Sequence, residues 1–553
     1  MFDFFFEIKY LKTMKTLKVY LLILSLSTIF LKSNAADNTY YIWAGATKVN
    51  DEVNLLQSDN WSVSNTEYIA PPEGTQINSP TSNWVFDYEA YLPISGRADN
   101  IFYRFQEAMI NVGSITIVNH NASDTGYWTN GNTIEPTGAS TGIKFVSGKG
   151  NSSWNIGTFT YTGAAGSYDR GVILGAGQVT SFQPDIFIET MNIGYGENTT
   201  QLRIGDYASG VAYATIDSSE NKVGDAIEIS DTTGPKSLTV TGNFNIHGNS
   251  TVSMNVYNDD PMAIHSESIP EVLIEGIIYM TKSEGGKTPI LNLLNRTTTI
   301  SWRPTLPAVP ATNTFIKIGG LQGEGKISNE SKTLDASTVK LIFTNKTDCE
   351  FKGEFTENRT DSIKTIMSVK MAGLDGKKQI INADSKFTGT VEVESGTLII
   401  GSTSSLGKLT MTGGEFGSIS GGVIVSEAEW QEGDFIYYNK DALSSGVPDK
   451  ITIEGTFYKS GDGVIGIDFD GFDASVFVSD GTKLELITAG ILDGFSDNAN
   501  DDFLAKNLLN ALAEFEWDGN TLLVSFVNVP EPATFAAIFC VSTLLFAMRL
   551  RRK

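Results

Sequence analysis

Short runs of alternating apolar and polar residues recur along most of the chain, separated by Gly, Asn, Asp and Ser. Residues 390–394 alternate one by one, Ser395-Gly396 supplies a turn, and 397–400 continues as an apolar run. Such alternation between turn residues predicts half-buried β-strands. The same pattern occurs at 237–240, 244–246, 252–256, 340–343, 423–425, 451–453 and 522–524. Short strands at a spacing of about ten residues fit a solenoid, a sandwich or a barrel.

One segment near the end of the chain has a helical period instead. Its apolar residues recur at the spacing that buries one face of an α-helix. They are Phe503, Leu504, Leu508, Leu509 and Leu512. We therefore expect a helix over 501–515 within an otherwise all-β body.

The first 35 residues have the parts of a secretory signal. The positive region is supplied by Lys12, Lys15 and Lys18. An apolar run follows at 19–31, and small residues then predict cleavage by signal peptidase between Ala35 and Ala36. Met14 opens a more ordinary signal than Met1, so both starts remain open. An uncleaved membrane helix is the alternative, but the apolar run is short for one.

The other end carries a proline motif, an apolar run and a basic tip. Pro530-Glu531-Pro532 breaks regular structure, because proline fixes φ and lacks an N–H donor. As a helix, the run 533–548 would be about 24 Å long, against a hydrocarbon core of about 30 Å. Basic residues stay on the cytoplasmic side, which leaves the body outside. They are Arg549, Arg551, Arg552 and Lys553.

This order of motif, apolar span and basic end resembles the PEP-CTERM sorting domain of Gram-negative environmental bacteria. The resemblance covers 529–553. It implies an exosortase that recognises the motif, removes the tail and passes the protein to the cell surface or extracellular matrix. The precursor is then tethered in the inner membrane, and the mature form is at the surface or outside. A plain tail anchor is the alternative.

Trimming both ends makes the chain more acidic. Residues 1–35 and 533–553 contain nine basic and two acidic residues, so the net charge falls from −24 to −31. Such a charge repels nucleic acid and anionic lipid, and we expect no nucleic-acid binding. Of the two cysteines, Cys540 lies in the tail, so Cys349 is the one thiol of the mature chain. Its stability must come from packing and sheet hydrogen bonds.

A segment in the middle of the chain combines inward-facing apolar positions with glycines that allow corners. The apolar positions are Phe387, Val391, Val393 and Leu398, and the glycines are Gly389 and Gly396. Residues 387–398 resemble the autotransporter-associated β-strand repeat, and 349–355 resembles a degraded copy. That family forms a right-handed parallel β-helix, so the resemblance implies an all-β body of β-solenoid type.

The N-terminal part has a second family feature. Tyr41-Ile42-Trp43-Ala44-Gly45, followed by Asp59-Asn60-Trp61, is similar to the Trp-x-Gly…Asn-Trp opening of many such secreted β-helical proteins. The resemblance implies that Trp43 and Trp61 cap the first coil, and two ordinary buried tryptophans are the alternative.

The chain divides into five predicted segments. They are a signal peptide (1–35), an N-terminal β-rich region (36–230), a β-solenoid region (231–433) with the repeat at about 380–405, a C-terminal β segment with one helix (434–529), and the sorting tail (530–553), whose membrane span is 533–548.

No residue pattern predicts a catalytic site or a cofactor. His120, His247 and His265 lack metal-ligand spacing. Residues 138–142 match Gly-x-Ser-x-Gly without the strand and helix that a nucleophile elbow needs. Residues 285–288 lack the first glycine of a phosphate loop. Four acids among glycines offer oxygen ligands that could suit calcium, although their spacing fits no EF-hand, and a solvated turn is the alternative. They are Asp462, Asp468, Asp470 and Asp473.

The expected function is that of a non-enzymatic surface or matrix protein, used in adhesion or in an exopolysaccharide matrix, with extracellular polysaccharide as a partner. A secreted polysaccharide lyase or hydrolase on a β-helix is the alternative. Converging carboxylates and aromatic platforms in a groove would favour the enzyme, and a smooth acidic face the structural protein. The many acidic residues do not allow a catalytic pair to be chosen from the sequence.

Overall fold

A computed structural model describes residues 39–43, 53–54, 61–64, 69–87, 102–105, 109–118, 143–147, 152–162, 172–177, 184–194, 200–204, 237–254, 271–294, 313–329, 337–357, 359–360, 363–382, 386–401, 405–478 and 481–529. Strands dominate these residues, which confirms the all-β class. Both processing signals lie outside them, as do His120, His265 and 138–142. Within the described ranges, no helix is long and apolar enough to cross a membrane.

The strands of the N-terminal part are β1 (Thr39–Trp43), β2 (Val53–Asn54), β3 (Trp61–Ser62), β4 (Ser82–Asp87), β5 (Phe102–Phe105), β6 (Met109–Val118), β7 (Ile143–Ser147), β8 (Ser153–Thr162), β9 (Val172–Gly177), β10 (Asp185–Ile193) and β11 (Thr200–Ile204). Those of the middle part are β12 (Ser237–Val240), β13 (Phe244–His247), β14 (Ser250–Met254), β15 (Glu271–Thr281), β16 (Ile290–Leu294), β17 (Asn313–Gly323), β18 (Lys326–Asn329), β19 (Ser337–Phe343), β20 (Cys349–Phe351), β21 (Glu354–Glu357), β22 (Arg359–Thr360), β23 (Ile363–Ala372), β24 (Lys378–Ile381), β25 (Lys386–Ser395), β26 (Thr397–Gly401), β27 (Ser405–Ile419) and β28 (Val423–Ile436).

The last strands are β29 (Ile451–Lys459), β30 (Ile465–Asp473), β31 (Leu484–Asp493), β32 (Phe503–Leu509), β33 (Ala511–Asp518) and β34 (Thr521–Asn528). Three short helical turns accompany them. They are α1 (Lys440–Ser444) and the 3₁₀ turns Ala474–Phe477 and Ala499–Asp501. The strand segments predicted from alternation all fall on strands, although 252–256 is longer than the described β14.

The strands pair mainly in parallel, and the chain alternates between two ladders. From β4 to β11, each even-numbered strand joins one ladder and each odd-numbered strand joins the other. Neighbouring strands in a ladder are separated in sequence by a strand of the other ladder. Each pass of the chain therefore adds one strand to each ladder in this region.

The core is a column of apolar side chains, one from each successive strand of the larger ladder. Strand alternation points these side chains inward, and register pairing stacks them directly on one another. The column runs Ile110, Trp154, Ile186, Leu238, Val272, Ile316, Leu341, Val369, Val391, Leu409, Ala428 and Phe457, all buried. The column is continuous although the register of several pairings shifts at bulges.

Eight of these strands form a closed ring of parallel pairings, an arrangement that the sequence does not predict. The ring runs β17, β19, β23, β25, β27, β26, β24 and β20. It closes because β17 and β27 are long, and each pairs with one strand through its first part and with another through its last part.

The repeat segment folds as its pattern predicts. Its four inward-facing positions, Phe387, Val391, Val393 and Leu398, are fully buried. Gly396 has a φ of +73° and lies against the carbonyls of Lys377 and Leu374. The segment that resembles a degraded copy forms β20 and the start of β21.

The helix predicted over 501–515 is absent from the described residues, and this prediction is wrong. The segment forms β32 and β33 instead. Phe503 and Phe515 are buried, whereas Leu504 and Leu512 are about half exposed, so the helical spacing did not mark a buried face. Pairing of β32 with β30 supplies the backbone hydrogen bonds, and Asn510, with a φ of +59°, turns the chain into β33.

Antiparallel strands lie at both ends of the parallel array. At the C-terminal end, β34 pairs with β33 and with β31, both antiparallel. At the N-terminal end, β3 pairs antiparallel with β1, and Trp43 is the register partner of Trp61. Trp61 is fully buried, with its ring centroid 5.3 Å from that of Trp84 and 5.5 Å from that of Phe86.

Candidate functional site

An open cleft of about 620 Å³ lies on the outer face of the array, where β26, β27 and β28 are neighbours. Its lining is mainly polar and rich in glycine. The residues are Asp375, Gly376, Gly396, Thr397, Gly413, Gly414, Glu415, Trp430, Gln431, Glu432, Gly433, Asp434, Gly463, Val464 and Lys506. An added Cβ at Gly413, Gly414 or Gly433 would come within 2.6 Å of a backbone carbonyl oxygen of a neighbouring segment, so these glycines allow the backbones to approach closely.

Parallel register places the central side chains of the cleft in one row. Thr397 of β26 is the register partner of Glu415 of β27, and Glu415 is the partner of Asp434 of β28. Their neighbours Leu398, Phe416 and Phe435 point into the core and are fully buried. Because side chains alternate along a strand, Glu415 and Asp434 point away from the core and are partly exposed, whereas Thr397 is buried at the end of the row.

Glu415 is the partly buried acid of this row. Its Oε2 accepts a hydrogen bond of 2.6 Å from Thr397 Oγ1. Burial raises the pKa of the Glu415 carboxyl above its ordinary value, and the charges of Asp468 and Asp434 add to the rise. The Thr397 hydrogen bond and the charge of Lys378 oppose it without cancelling it. Burial in the cleft is thus the main reason that the pKa of Glu415 lies above its ordinary value.

Asp434 is held by hydrogen bonds and an ion pair. Lys506 Nζ lies 2.9 Å from its Oδ1 and 2.7 Å from its Oδ2. The backbone N–H of Gly466 also donates to Oδ1, at 3.1 Å. An ammonium group and an amide N–H both stabilise a negative charge. Neighbouring carboxyls in one row are thus held in different electrostatic surroundings.

Trp430 forms a wall of the cleft but offers no open ring face. It is buried, and its Nε1 donates to the Gly433 carbonyl at 2.9 Å. Lys459 Nζ lies 5.9 Å from the ring centroid. A Cβ at Gly461 or Gly463 would come within 3.0 or 3.3 Å of the ring, so both glycines pack closely against it. Trp430 therefore shapes the cleft instead of stacking on a ligand.

Three of the four acids considered for calcium have separate partners. Asp468 accepts hydrogen bonds from Asp470 N at 2.7 Å and Asn507 Nδ2 at 2.6 Å. Asp473 accepts from Ser475 N at 3.0 Å and Asn510 Nδ2 at 2.9 Å, and Asp462 is exposed.

Asp470 lies 3.6 Å from Lys440 and 3.9 Å from Lys378. In the part of the chain that the structure describes, no group of three or more His, Cys, Asp or Glu residues is placed to hold a metal ion.

His247 and Cys349 are placed away from this cleft. His247 is partly buried at the end of β13, and burial lowers the pKa of its imidazole. Cys349 is a buried free thiol, and burial raises its pKa. A raised pKa leaves little thiolate, so Cys349 is a packing residue.

No motif in the sequence marks Glu415 or Asp434 as a site residue. A signal for them exists, because Gly414-Glu415 and Gly433-Asp434 repeat a glycine–acid pair at a spacing of 19 residues. When successive strands pair in register, two residues at such a spacing become neighbours on adjacent strands. Without the register, the pairs cannot be distinguished from the many other acids of the chain.

Comparisons with protein-family models, with curated proteins and with solved structures gave no match to this chain.

Proposed function

We propose that this chain is an exported bacterial protein of the cell surface or extracellular matrix, with a β-solenoid body that associates with extracellular polysaccharide. The observation that supports it best is the alternation of the chain between two parallel ladders. Alternation of this kind is what successive coils of a β-helix produce, since each coil contributes one strand to each face.

The stacked core supports an elongated shape. Each strand added to a ladder advances it by about 4.8 Å, and the apolar column from Ile110 to Phe457 continues through twelve strands in register. In this proposal the closed ring of eight pairings arises where β17 and β27 bend around a corner and serve two faces.

The antiparallel pairs at both ends also fit a solenoid. The last parallel strands of a stack expose unpaired backbone N–H and C=O groups, which promote aggregation. β34 covers β31, and Phe526 of β34 packs against Phe469 and Phe472 of β30. Such caps let an elongated stack remain soluble.

Export and sorting are proposed from the two ends of the sequence. Signal peptidase would cut between Ala35 and Ala36, and an exosortase would act at Pro530-Glu531-Pro532. The membrane would then hold the precursor alone, through the span 533–548.

A cell-surface preparation tests the proposal directly. Mass spectrometry of surface and extracellular fractions should find an N-terminus at Ala36 and no peptide beyond Pro532. The intact tail at the surface would support a simple anchor instead, and recovery of the chain from the cytoplasm would contradict export. Co-sedimentation with the extracellular polysaccharide of the same cells tests the proposed partner.

A carbohydrate-active enzyme on the same scaffold is the second candidate. The cleft favours it, because the acids Glu415 and Asp434 both line an open, mainly polar depression. The covered ring of Trp430 gives the cleft no aromatic platform.

A further inference from the structure

We infer that one corner of the body, at its C-terminal end, contacts the surface of a neutral lipid bilayer while the tail is inserted. This exit corner consists of four exposed apolar residues, namely Val476, Leu509, Leu512 and Val529. The inference rests on the proposed function in taking 533–548 as a membrane span. It adds an interaction surface on the body and an orientation for the precursor.

The exit corner surrounds the point where the chain leaves the described body. The last strand, β34, ends at Asn528, and Val529 follows it directly. The register partner of Asn528 is Ala511, which is next to Leu512 and two residues after Leu509. Both leucines therefore lie close to the last residues of β34.

The 3₁₀ turn that ends at Phe477 places Val476 at the same corner. The ring of Phe477 stacks on that of Phe526 of β34, with centroids 6.1 Å apart. The residue before the turn is Asp473, and it is the register partner of Leu509 of β32. The turn is thus packed against both of the strands that carry the corner.

The side chains of the exit corner are largely open to water. Their exposed fractions are 62% for Val476, 50% for Leu509, 51% for Leu512 and 47% for Val529. Single exposed apolar residues are ordinary on a protein surface, but several at one place mark an interaction site. The exit corner therefore needs a partner that can cover apolar side chains.

The length of the connecting segment determines what these residues face. Four residues, 529–532, separate β34 from the apolar run 533–548. Even fully extended, they allow at most about 18 Å between the Cα atoms of Asn528 and Ala533. The headgroup layer on each side of the hydrocarbon core is itself about 5–8 Å thick. An inserted tail therefore holds the end of β34 within about 13 Å of the headgroup surface.

This short connection makes a small apolar contact sufficient. A bilayer and a surface that are joined by a short linker meet at an effective concentration of about millimolar order. Half-exposed leucine and valine side chains gain free energy when a membrane interface covers them. The tail supplies the attachment, and the exit corner selects which side of the body faces the bilayer.

The charges beside the exit corner select the type of lipid. Asp473 and Glu514 are exposed next to Leu509 and Leu512. The body between the two processed ends has a net charge of −31. Acidic groups are repelled by anionic headgroups. We therefore assign a zwitterionic surface, such as phosphatidylcholine, as the partner.

Depth-dependent fluorescence quenching tests the inference. The precursor after signal cleavage (36–553) carries Cys540→Ser and an NBD fluorophore on a cysteine introduced by Val476→Cys. It is reconstituted through its tail into phosphatidylcholine vesicles with or without bromine on the acyl chains. Bromolipid should quench the probe about twofold or more, because interfacial side chains lie about 5–10 Å into the headgroup boundary. Cys349 is buried, and the chain without the introduced cysteine gives the background label.

Matched variants distinguish apolar contact from tethering alone. The same probe at Met109→Cys, an exposed position at the start of β6, should show no quenching. Leu509→Ser combined with Leu512→Ser should remove most of the quenching of the probe at Val476→Cys. Leu504→Ser changes a similarly exposed leucine near the start of β32 and should leave the quenching unchanged. Circular dichroism confirms that each variant is folded.

The inference and the proposed function can fail separately. Vesicle flotation reports whether the tail is inserted, and a chain that does not float would contradict the membrane tail on which both rest. A chain that floats but shows equal quenching at Val476→Cys and Met109→Cys would overturn the inference alone. Quenching that survives both Leu→Ser changes would do the same. A probe that is shielded from water but not quenched by bromolipid would indicate a second copy over the exit corner, which would also overturn it.

Discussion

The side-chain amide of Gln379 makes a two-way hydrogen bond with the backbone of Leu321. Leu321 N–H donates to Gln379 Oε1 at 3.0 Å, and Gln379 Nε2 donates to the Leu321 carbonyl at 3.0 Å. Leu321 lies in the part of β17 between the residues that pair with β19 and the one that pairs with β20. The fully buried amide of Gln379 thus replaces a missing strand partner there.

We predict that Gln379→Met destabilises the protein. The change leaves a buried N–H and a buried carbonyl unpaired, and each lost partner costs about 1–3 kcal/mol. Urea denaturation followed by circular dichroism should show a clearly lower midpoint. Gln322→Met, at an exposed position of the same strand, is the control and should leave the midpoint unchanged. Equal midpoints for the two variants would contradict this role of Gln379.

The buried ion pair beside Trp430 gives a second prediction. Lys459 Nζ lies 2.8 Å from Asp502 Oδ1, with side chains 10% and 2% exposed. Lys459→Met removes the cation and leaves a buried carboxylate, which costs about 3–5 kcal/mol of unfolding free energy.

The exposed pair of Lys450 and Glu485 provides the control for this measurement. Its Nζ–Oε2 distance is 2.9 Å, similar to that of the buried pair. Lys450→Met should cost less than about 1 kcal/mol, because water screens exposed ion pairs. A double change of Lys459→Met and Asp502→Leu should recover much of the loss, and failure to recover would point to packing instead of charge.

The ion pairs of Glu392 predict that the protein loses stability in acid. Burial alone would raise the pKa of its carboxyl, but hydrogen bonds from Lys340 and Lys370 outweigh burial and lower the pKa below 4.5. Its ionised form therefore contributes stability above pH 4.5, and this contribution is lost as the pH falls through the lower folded-state pKa. Glu392→Gln should lower the urea midpoint at pH 7 and have little effect below the folded-state pKa. Glu427→Gln, at an exposed position, should show no such pH dependence.

Glu415 predicts a pH dependence of stability opposite to that of Glu392. Its pKa is raised above 4.5 in the folded protein, first by burial. The stability linked to its protonation is complete below pH 4.5 and is lost as the pH rises through the folded-state pKa. Glu415→Gln should therefore raise the urea midpoint at pH 7 and leave it nearly unchanged at pH 4. A lower midpoint at pH 7 would show that the Thr397 hydrogen bond outweighs the cost of burial.

Two glycines of the cleft allow the stability cost of a left-handed backbone conformation to be distinguished from the cost of close packing. Gly396 and Gly376 have similar φ values, +73° and +69°, but an added Cβ would meet the Lys377 carbonyl at 3.0 Å only at Gly396. Gly376→Ala should cost about 1–2 kcal/mol, the cost of a left-handed conformation. Gly396→Ala should cost about a further 1–3 kcal/mol, because the Met371 methyl group, 2.9 Å from the added Cβ, must move and the Lys377 carbonyl leaves little room. Equal losses in thermal stability would show that the corner at Gly396 yields easily.

The sequence by itself determined the strands and the inward-facing residues. Alternation at 390–394 correctly marked Val391 and Val393 as core positions, because a strand buries every second side chain whatever its partners are. The same local reasoning failed at 501–515. There the pairing of β32 with β30 outweighed a helical spacing, and no local pattern reports which strand lies alongside.

The tertiary structure alone decided which distant residues meet. Glu415 and Asp434 share a row, and Gln379 reaches Leu321 across 58 residues, because the register of parallel strands fixes both relationships. Register depends on how every strand pairs with its neighbours, so it is a property of the whole array. Composition indicates an acidic body, but only this stacking gives neighbouring carboxyls different surroundings.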